Sequence, residues 1–301
     1  MCVNRRDKKH AYAMHTLDYE KPASHIALAL GTGTVRAAQT GWNDSGGEPV
    51  ALSELESRVC EGLRAGEFHL VFQGAYHAAT GALARIHAQV RWTHPDYGLL
   101  LPGSFLMPLE HPQVAIEMAS FAIDGVCREL RDYLSSNVLL QPIAITVPAQ
   151  VAVLDSFAAH LASVARSYGV DTALLEIDVP DSADAAQLLS LRTLTAGLRA
   201  TGAGISLGEW GNGASSLASL GALDVDAVTL ARELMAAVPR NPRACVVTSA
   251  VLDLLHALDV RVLMHGVDTK AQLQWLSAWP GVLAQGALFS RPKPDLDSLL
   301  G

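Results

Sequence analysis

"FHLVFQGAYHAATGALARIHAQVRW", residues 68–92, reads as two strands folded back on one turn. Apolar and polar residues alternate through "FHLVFQ" (68–73), "HAATGAL" (77–83) carries the turn, and "ARIHAQVRW" (84–92) returns. Period-two alternation on both sides of a Gly-containing loop is the pattern of an antiparallel hairpin. Upstream, Leu52, Leu55, Val59 and Leu63 recur at helical spacing until Gly66 stops the helix. Downstream, six short apolar runs follow: "IAITV" (143–147), "LLEIDV" (174–179), "GISL" (204–207), "AVTL" (227–230), "RVLMHG" (261–266) and "VLAQGALF" (282–289). Helical patterns at 113–134, 156–168, 183–201, 214–221, 243–257 and 270–278 alternate with them. The hairpin and these six runs make eight strands. Repeated βα units without a Gly-rich dinucleotide fingerprint favour a closed barrel over an open sheet. The expected fold is α/β, a TIM-like (β/α)8 barrel whose first strand runs antiparallel to the rest.

Residues 1–48 hold no sustained period and end in a turn-rich "GWNDSGGEP", so they read as a poorly ordered tail ahead of a barrel domain over 49–301, with Met14 an alternative start. An apolar fraction of 50% and a charged fraction of 17% describe a soluble chain with a substantial core. The net charge of −8 argues against a nucleic-acid partner, since phosphate backbones require clustered Lys and Arg. Cys2, Cys60, Cys127 and Cys245 are scattered without metal-like spacing, which suits a reducing compartment. The basic N-terminus is not followed by the apolar core of a signal peptide, and no run of about twenty apolar residues exists to span a bilayer. A cytoplasmic location without membrane contact is expected.

In a barrel of parallel strands, chemistry sits where the strands end. Read in order, those ends carry His87 and Arg91, Thr146, Glu176 and Asp178, Gly208 and Glu209, Thr229, His265 and Asp268, and Gln285. "SLGEWGNGASSL" (206–217) has the form of an active-site mouth but offers one carboxylate, Glu209, where metal chemistry usually wants two together.

Several stretches resemble the EAL-domain family of cyclic di-GMP phosphodiesterases: "GEFHLVFQ", "VRWTHPDYGLLLPGSF", "LLEI", "GNGASSLASL", "LDVDAVTL", "HGVDTKAQLQWL" and "QGALFSRP". They cover the chain from about 52 to 297 in the family's order, and the family's fold is the barrel expected above. The resemblance implies two divalent metals held by oxygen ligands that activate a water for phosphodiester attack. This chain departs from that pattern at most of the required positions. The signature Glu falls on His87, the metal-binding Asn on Thr146, the adjacent Asp pair on Gly208 and Glu209, and the catalytic Lys on Thr229. The first Glu of the family's Ala-Glu-Gly-Val-Glu falls on His265, its second becomes Asp268, and a loop-steadying Glu becomes Val179, while Glu176 is kept. Mg²⁺ dehydrates reluctantly and demands good geometry, so the expectation is a catalytically inactive member without cofactor.

Ligand recognition is separable from catalysis. By the resemblance, Gln73, Arg91 and Gln285 line the dinucleotide groove, and Glu176, Glu209 and Asp268 complete the candidate cyclic di-GMP site. An Arg fork suits phosphate oxygens, although Arg91 paired with Glu176 or Glu209 would be a purely structural residue. The expected function is a non-hydrolysing regulator in cyclic di-GMP signalling that acts through contact with an unknown protein partner, with or without the nucleotide. A homodimer through the region near 208–240 is a further expectation from the family. The alternative is a phosphodiesterase with an altered metal site, in which His87, Glu176 and His265 would hold a transition metal, imidazole favouring Zn²⁺ over Mg²⁺. His94, in Arg-Trp-x-His-Pro, is expected to lock the chain where it leaves the hairpin.

Overall fold

The computed structural model describes residues 51–106, 109–134, 140–182, 184–212 and 216–300; the tail expected at 1–48 lies outside them. Helix α1 (Glu54–Ala65) opens on a reciprocal cap. The Glu56 amide donates to Ser53 Oγ at 3.2 Å, and Glu56 Oε2 accepts from the Ser53 amide at 2.9 Å. Leu52 falls outside the helix and is exposed, because the cap is Ser53 and the helix starts at Glu54. The other carboxylate oxygen of Glu56 accepts the amides of Glu110 and His111, which binds α1 to the start of α2 (Pro112–Leu134).

The hairpin forms as β1 (Phe68–His77) and β2 (Leu83–His94), paired antiparallel from Phe68↔Trp92 to Tyr76↔Leu83. Trp92 anchors its base. The indole stacks on Phe68 at 4.8 Å and donates to Glu67, whose carboxylate is gripped twice by Arg58. His94 does lock the exit: its Nδ1 accepts the amides of Asp96 and Tyr97 at 3.1 and 3.4 Å, and a short β3 (Gly98–Leu100), not expected from the sequence, then pairs back on β2.

Six strands follow: β4 (Ile143–Thr146), β5 (Leu175–Pro180), β6 (Gly204–Trp210), β7 (Ala227–Leu230), β8 (Arg261–Met264) and β9 (Leu283–Ala284). Parallel pairing runs β2–β4–β5–β6–β7–β8–β9, and β9 meets β1 antiparallel, so the sheet closes into an eight-stranded barrel with β3 as an appendage. The antiparallel first strand is present as expected. Closure between β1 and β9 takes only Tyr76↔Ala284 and His77↔Leu283. Further along β1, Phe72 exchanges two backbone hydrogen bonds with Lys293, so the C-terminal segment straps the same edge.

The helices between the strands include α3 (Ala149–Ala152), α4 (Asp155–Tyr168), α5 (Ala185–Ser190), α6 (Arg192–Ala200), α7 (Arg232–Ala236), α8 (Pro242–Ala257), α9 (Lys270–Leu276) and α10 (Leu296–Leu300). The helix expected over 183–201 is two, broken at Leu191, so that α5 packs on α3 while α6 packs on α4. Of the helical pattern at 214–221, residues 214 and 215 lie outside the described residues, and the rest forms a 3₁₀ turn, Leu217–Ala222. Cys60 and Cys127 pack in the core and Cys245 is half-buried. No helix among the described residues is long and apolar enough to cross a membrane.

Candidate functional site

The parallel strand ends open into a cavity of about 660 Å³. Five of the six groove residues named from the sequence line it: Gln73, Arg91, Glu209, Asp268 and Gln285. Glu176 does not. It sits one inward-facing position deeper on β5 than Asp178, which reaches the cavity.

Strand β2 presents Arg85, His87, Gln89 and Arg91 to the interior at every second residue. The last three form a relay. Arg91 Nη2 donates to Gln89 Oε1 at 2.6 Å, Gln89 Nε2 lies 3.4 Å from His87 Nδ1, and His87 Nε2 lies 3.0 Å from Thr146 Oγ1. With Gln89 donating, Nδ1 is the acceptor and the Nε2–H donates to Thr146. Burial drives the His87 pKa down to about 3, the neutral form this pattern requires. The relay ends on Arg91, which is 9% exposed. Among the described residues no carboxylate pairs with it; its remaining bond is from Nη1 to the Val90 carbonyl. Burial alone lowers its pKa. The structural pairing of Arg91 with Glu176 or Glu209 is therefore not what the chain adopts.

Arg85, absent from the sequence expectations, is the cation that holds the acids. Its Nη2 lies 2.7 Å from Glu176 Oε1, 3.2 Å from Asp178 Oδ1 and 3.1 Å from Ser206 Oγ, and its Nη1 donates to Thr229 Oγ1 at 3.3 Å. All five residues are at least nine-tenths buried. Room for the guanidinium comes from small inward positions, Ala144, Gly204 and Ala227. Glu176 is engaged from its other side by Arg261, 3.3 Å away. Burial penalises the Asp178 carboxylate, but the Arg85 charge and the Ser206 hydrogen bond oppose that, and its pKa lies below the usual range. Asp178 also fills the space above Gly208, where an added Cβ would stand 2.6 Å from Asp178 Oδ2.

Across the cavity, Glu209 occupies a left-handed conformation (φ 56°) in a bulge of β6, which turns its carboxylate onto His265 Nδ1. His265 Nε2 is buried without a hydrogen-bond partner. Asp268 accepts from the Ala287 amide at 2.8 Å and faces Arg232 at 3.7 Å. Gln73 and Gln285 meet at the β1–β9 closure: Gln285 Nε2 lies 3.2 Å from the Gln73 carbonyl, and Gln73 Nε2 donates to the Ser290 carbonyl. Gly286 is required by contact: a Cβ there would stand 2.3 Å from the Val267 carbonyl oxygen. That crossing also ends β9 after two residues, short of the run expected to Phe289.

These side chains do not fit a pair of divalent ions. Glu176 and Asp178 are neutralised by guanidinium groups, and Glu209 is bound to an imidazole. His87, Glu176 and His265 are not brought together either. The two imidazoles lie 6.4 Å apart between centroids, whereas Glu176 faces Arg85 and Arg261. Among the described residues no three His, Cys, Asp or Glu side chains converge in a metal-binding arrangement.

A model of the EAL domain matches residues 56–292, and the chain belongs to that family. Cyclic di-GMP phosphodiesterase NbdA of Pseudomonas aeruginosa is 28% identical over 242 residues, covering 80% of this chain but 31% of NbdA. Uncharacterized protein Rv1357c of Mycobacterium tuberculosis is 28% identical over 259 residues, 84% of each protein. Of solved structures, the PaMucR phosphodiesterase in complex with c-di-GMP superposes with a TM-score of 0.72 at 25% identity, covering 82% of this chain and all of that one. The FimX EAL domain of Pseudomonas aeruginosa bound to c-di-GMP gives 0.70 at 15% identity, over 81% of this chain and 98% of that one, a likeness of fold.

Proposed function

We propose that this EAL domain binds cyclic di-GMP without hydrolysing it and passes the signal on through contact with a protein partner. The observation that carries the reading is Arg91: a buried guanidinium, aimed into the cavity, that has no carboxylate partner among the described residues. Burying an unpaired charge is costly unless something else compensates it, and a phosphodiester anion is the partner that the Arg fork fits best. Gln73 and Gln285 stand at the same mouth with amide oxygens available to ribose or base donors. Against hydrolysis stand the replaced positions His87, Thr146, Gly208 and Thr229, together with a metal-site acid, Glu176, already bound to two arginines.

Isothermal titration of cyclic di-GMP, first with Ca²⁺ and then with chelator, tests the reading. Micromolar or tighter binding that survives chelation and is lost in Arg91→Ala is the expected result. No heat at high protein concentration would remove the binding claim. Turnover above background with Mg²⁺ or Mn²⁺ would remove the claim of inactivity and favour the altered-site phosphodiesterase.

A further inference from the structure

One nitrogen stands within ion-pair distance of two buried acids of the barrel interior. Arg85 Nη2 lies among three oxygens, Glu176 Oε1, Asp178 Oδ1 and Ser206 Oγ, at 2.7, 3.2 and 3.1 Å, and Thr229 Oγ1 adds a fourth contact through Nη1. Two carboxylates and hydroxyls gathered around one positive centre form the donor set that hard cations take, at somewhat shorter distances. The guanidinium fits it imperfectly, since Arg85 Nε is buried without a hydrogen-bond partner. Charge closes within the group: Glu176 and Asp178 are matched by Arg85 and Arg261.

We infer that Arg85 is a resident cation occupying an oxygen cage that would otherwise take a divalent ion, and that its guanidinium and a metal exclude one another. The chain has thereby made its pocket independent of metal supply. Removing Arg85 leaves two buried acids against the single, half-exposed guanidinium of Arg261 and opens a volume between them lined by oxygen. A divalent ion binds such a volume when it can keep part of its water shell and take one or two carboxylates. Arg261 does not substitute, because it approaches Glu176 from a half-exposed position and makes no contact with Asp178. This inference extends the reading of a non-hydrolysing site, and its test contains no nucleotide, so the two can fail separately.

The test uses Mn²⁺ alone, with bound metal counted by equilibrium dialysis and unfolding followed by circular dichroism. Wild type should bind no stoichiometric Mn²⁺ and melt at the same temperature in chelator and in millimolar Mn²⁺. Arg85→Met should melt lower in chelator, take up about one Mn²⁺ per chain, and recover by about 5 °C or more with the metal, as expected when a ligand binds only the folded state. The double variant R85M/E176Q, with one acid removed, should melt above R85M in chelator and lose at least about tenfold in Mn²⁺ affinity. Stoichiometric Mn²⁺ in wild type that E176Q abolishes would overturn the inference. So would a folded R85M that binds none, or an R85M that neither Mn²⁺ nor the E176Q change restores.

Discussion

Gly208→Ala tests whether Asp178 is fixed where the structure places it. The added Cβ would stand 2.6 Å from Asp178 Oδ2, 3.2 Å from its Cγ and 3.3 Å from Oδ1. Ordinary contact requires about 3.5 Å, so the carboxylate would have to retreat by most of an ångström. It cannot do so freely. Asp178 Oδ1 accepts from Ser206 Oγ at 2.7 Å and pairs with Arg85 at 3.2 Å, and β5 is buried on both faces. Overpacking of this kind costs about 1–3 kcal/mol, which for a domain of this size lowers the melting temperature by roughly 2–10 °C. Urea and thermal melts at pH 7 read the cost directly. Asp178→Ala relieves the clash, so G208A/D178A should be destabilised by about 1 kcal/mol or more less than the sum of the two single changes. A G208A protein within about 0.5 kcal/mol of wild type, or strict additivity in the double variant, would show that Asp178 is not held over Gly208, and the charge pairing built on it would fall as well.

Arg91→Met should lose cyclic di-GMP affinity by about tenfold or more, as expected for a charge-assisted contact, with no loss of stability in urea, because the burial of this cation is uncompensated in the free protein. Gln89→Leu removes the group that orients Arg91 and should weaken binding by about two- to tenfold, read by the same titration. For His87, whose folded pKa is about 3, the unfolded chain takes up the proton near pH 6.5 and the folded chain does not. Stability from this group is therefore present above about pH 6.5 and falls as the pH drops towards 3, by up to about 1.4 kcal/mol per pH unit; His87→Gln should flatten that limb in urea melts at pH 7, 6, 5 and 4. Glu56→Ala leaves the Ser53 cap bond but removes its reciprocal half, the acceptor of the Ser53 amide, together with the acceptor of two further backbone amides, and an expected loss of about 1–3 kcal/mol should appear in the same melts.

The hairpin over 68–92 and the βα alternation made the barrel legible, because strand period and turn chemistry are local properties of sequence. The run "AVTL" is β7 to the residue. Less legible were the endings set by distant contacts. β9 stops where Gly286 must pass Val267, and the helix over 183–201 breaks where its two halves meet different neighbours. The mouth residues came from strand ends and from family resemblance, and the cavity gathers five of the six. Glu176 was misplaced because a strand-end register gives no depth, and its depth decides which cations reach it. Arg85 left one usable signal: it falls two residues before His87 on the same alternating face, opposite strands whose inward positions are small. An Arg directed into a barrel interior requires buried acids, and Glu176 and Asp178 sit at the matching alternation on β5.

The barrel does not close with equal strength all the way round. Between β1 and β9 it is held by two residue pairs and by the Lys293 strap, whereas β1 and β2 are paired along nearly their whole length. Gln73 lies on one side of that closure and Gln285 on the other. Local opening of a closed sheet begins where the fewest backbone bonds must break, so amide hydrogens on this edge are the ones to exchange first among the barrel strands. A ligand that touches both glutamines spans the opening like a clasp, and its arrival would be recorded as slowed exchange along that edge.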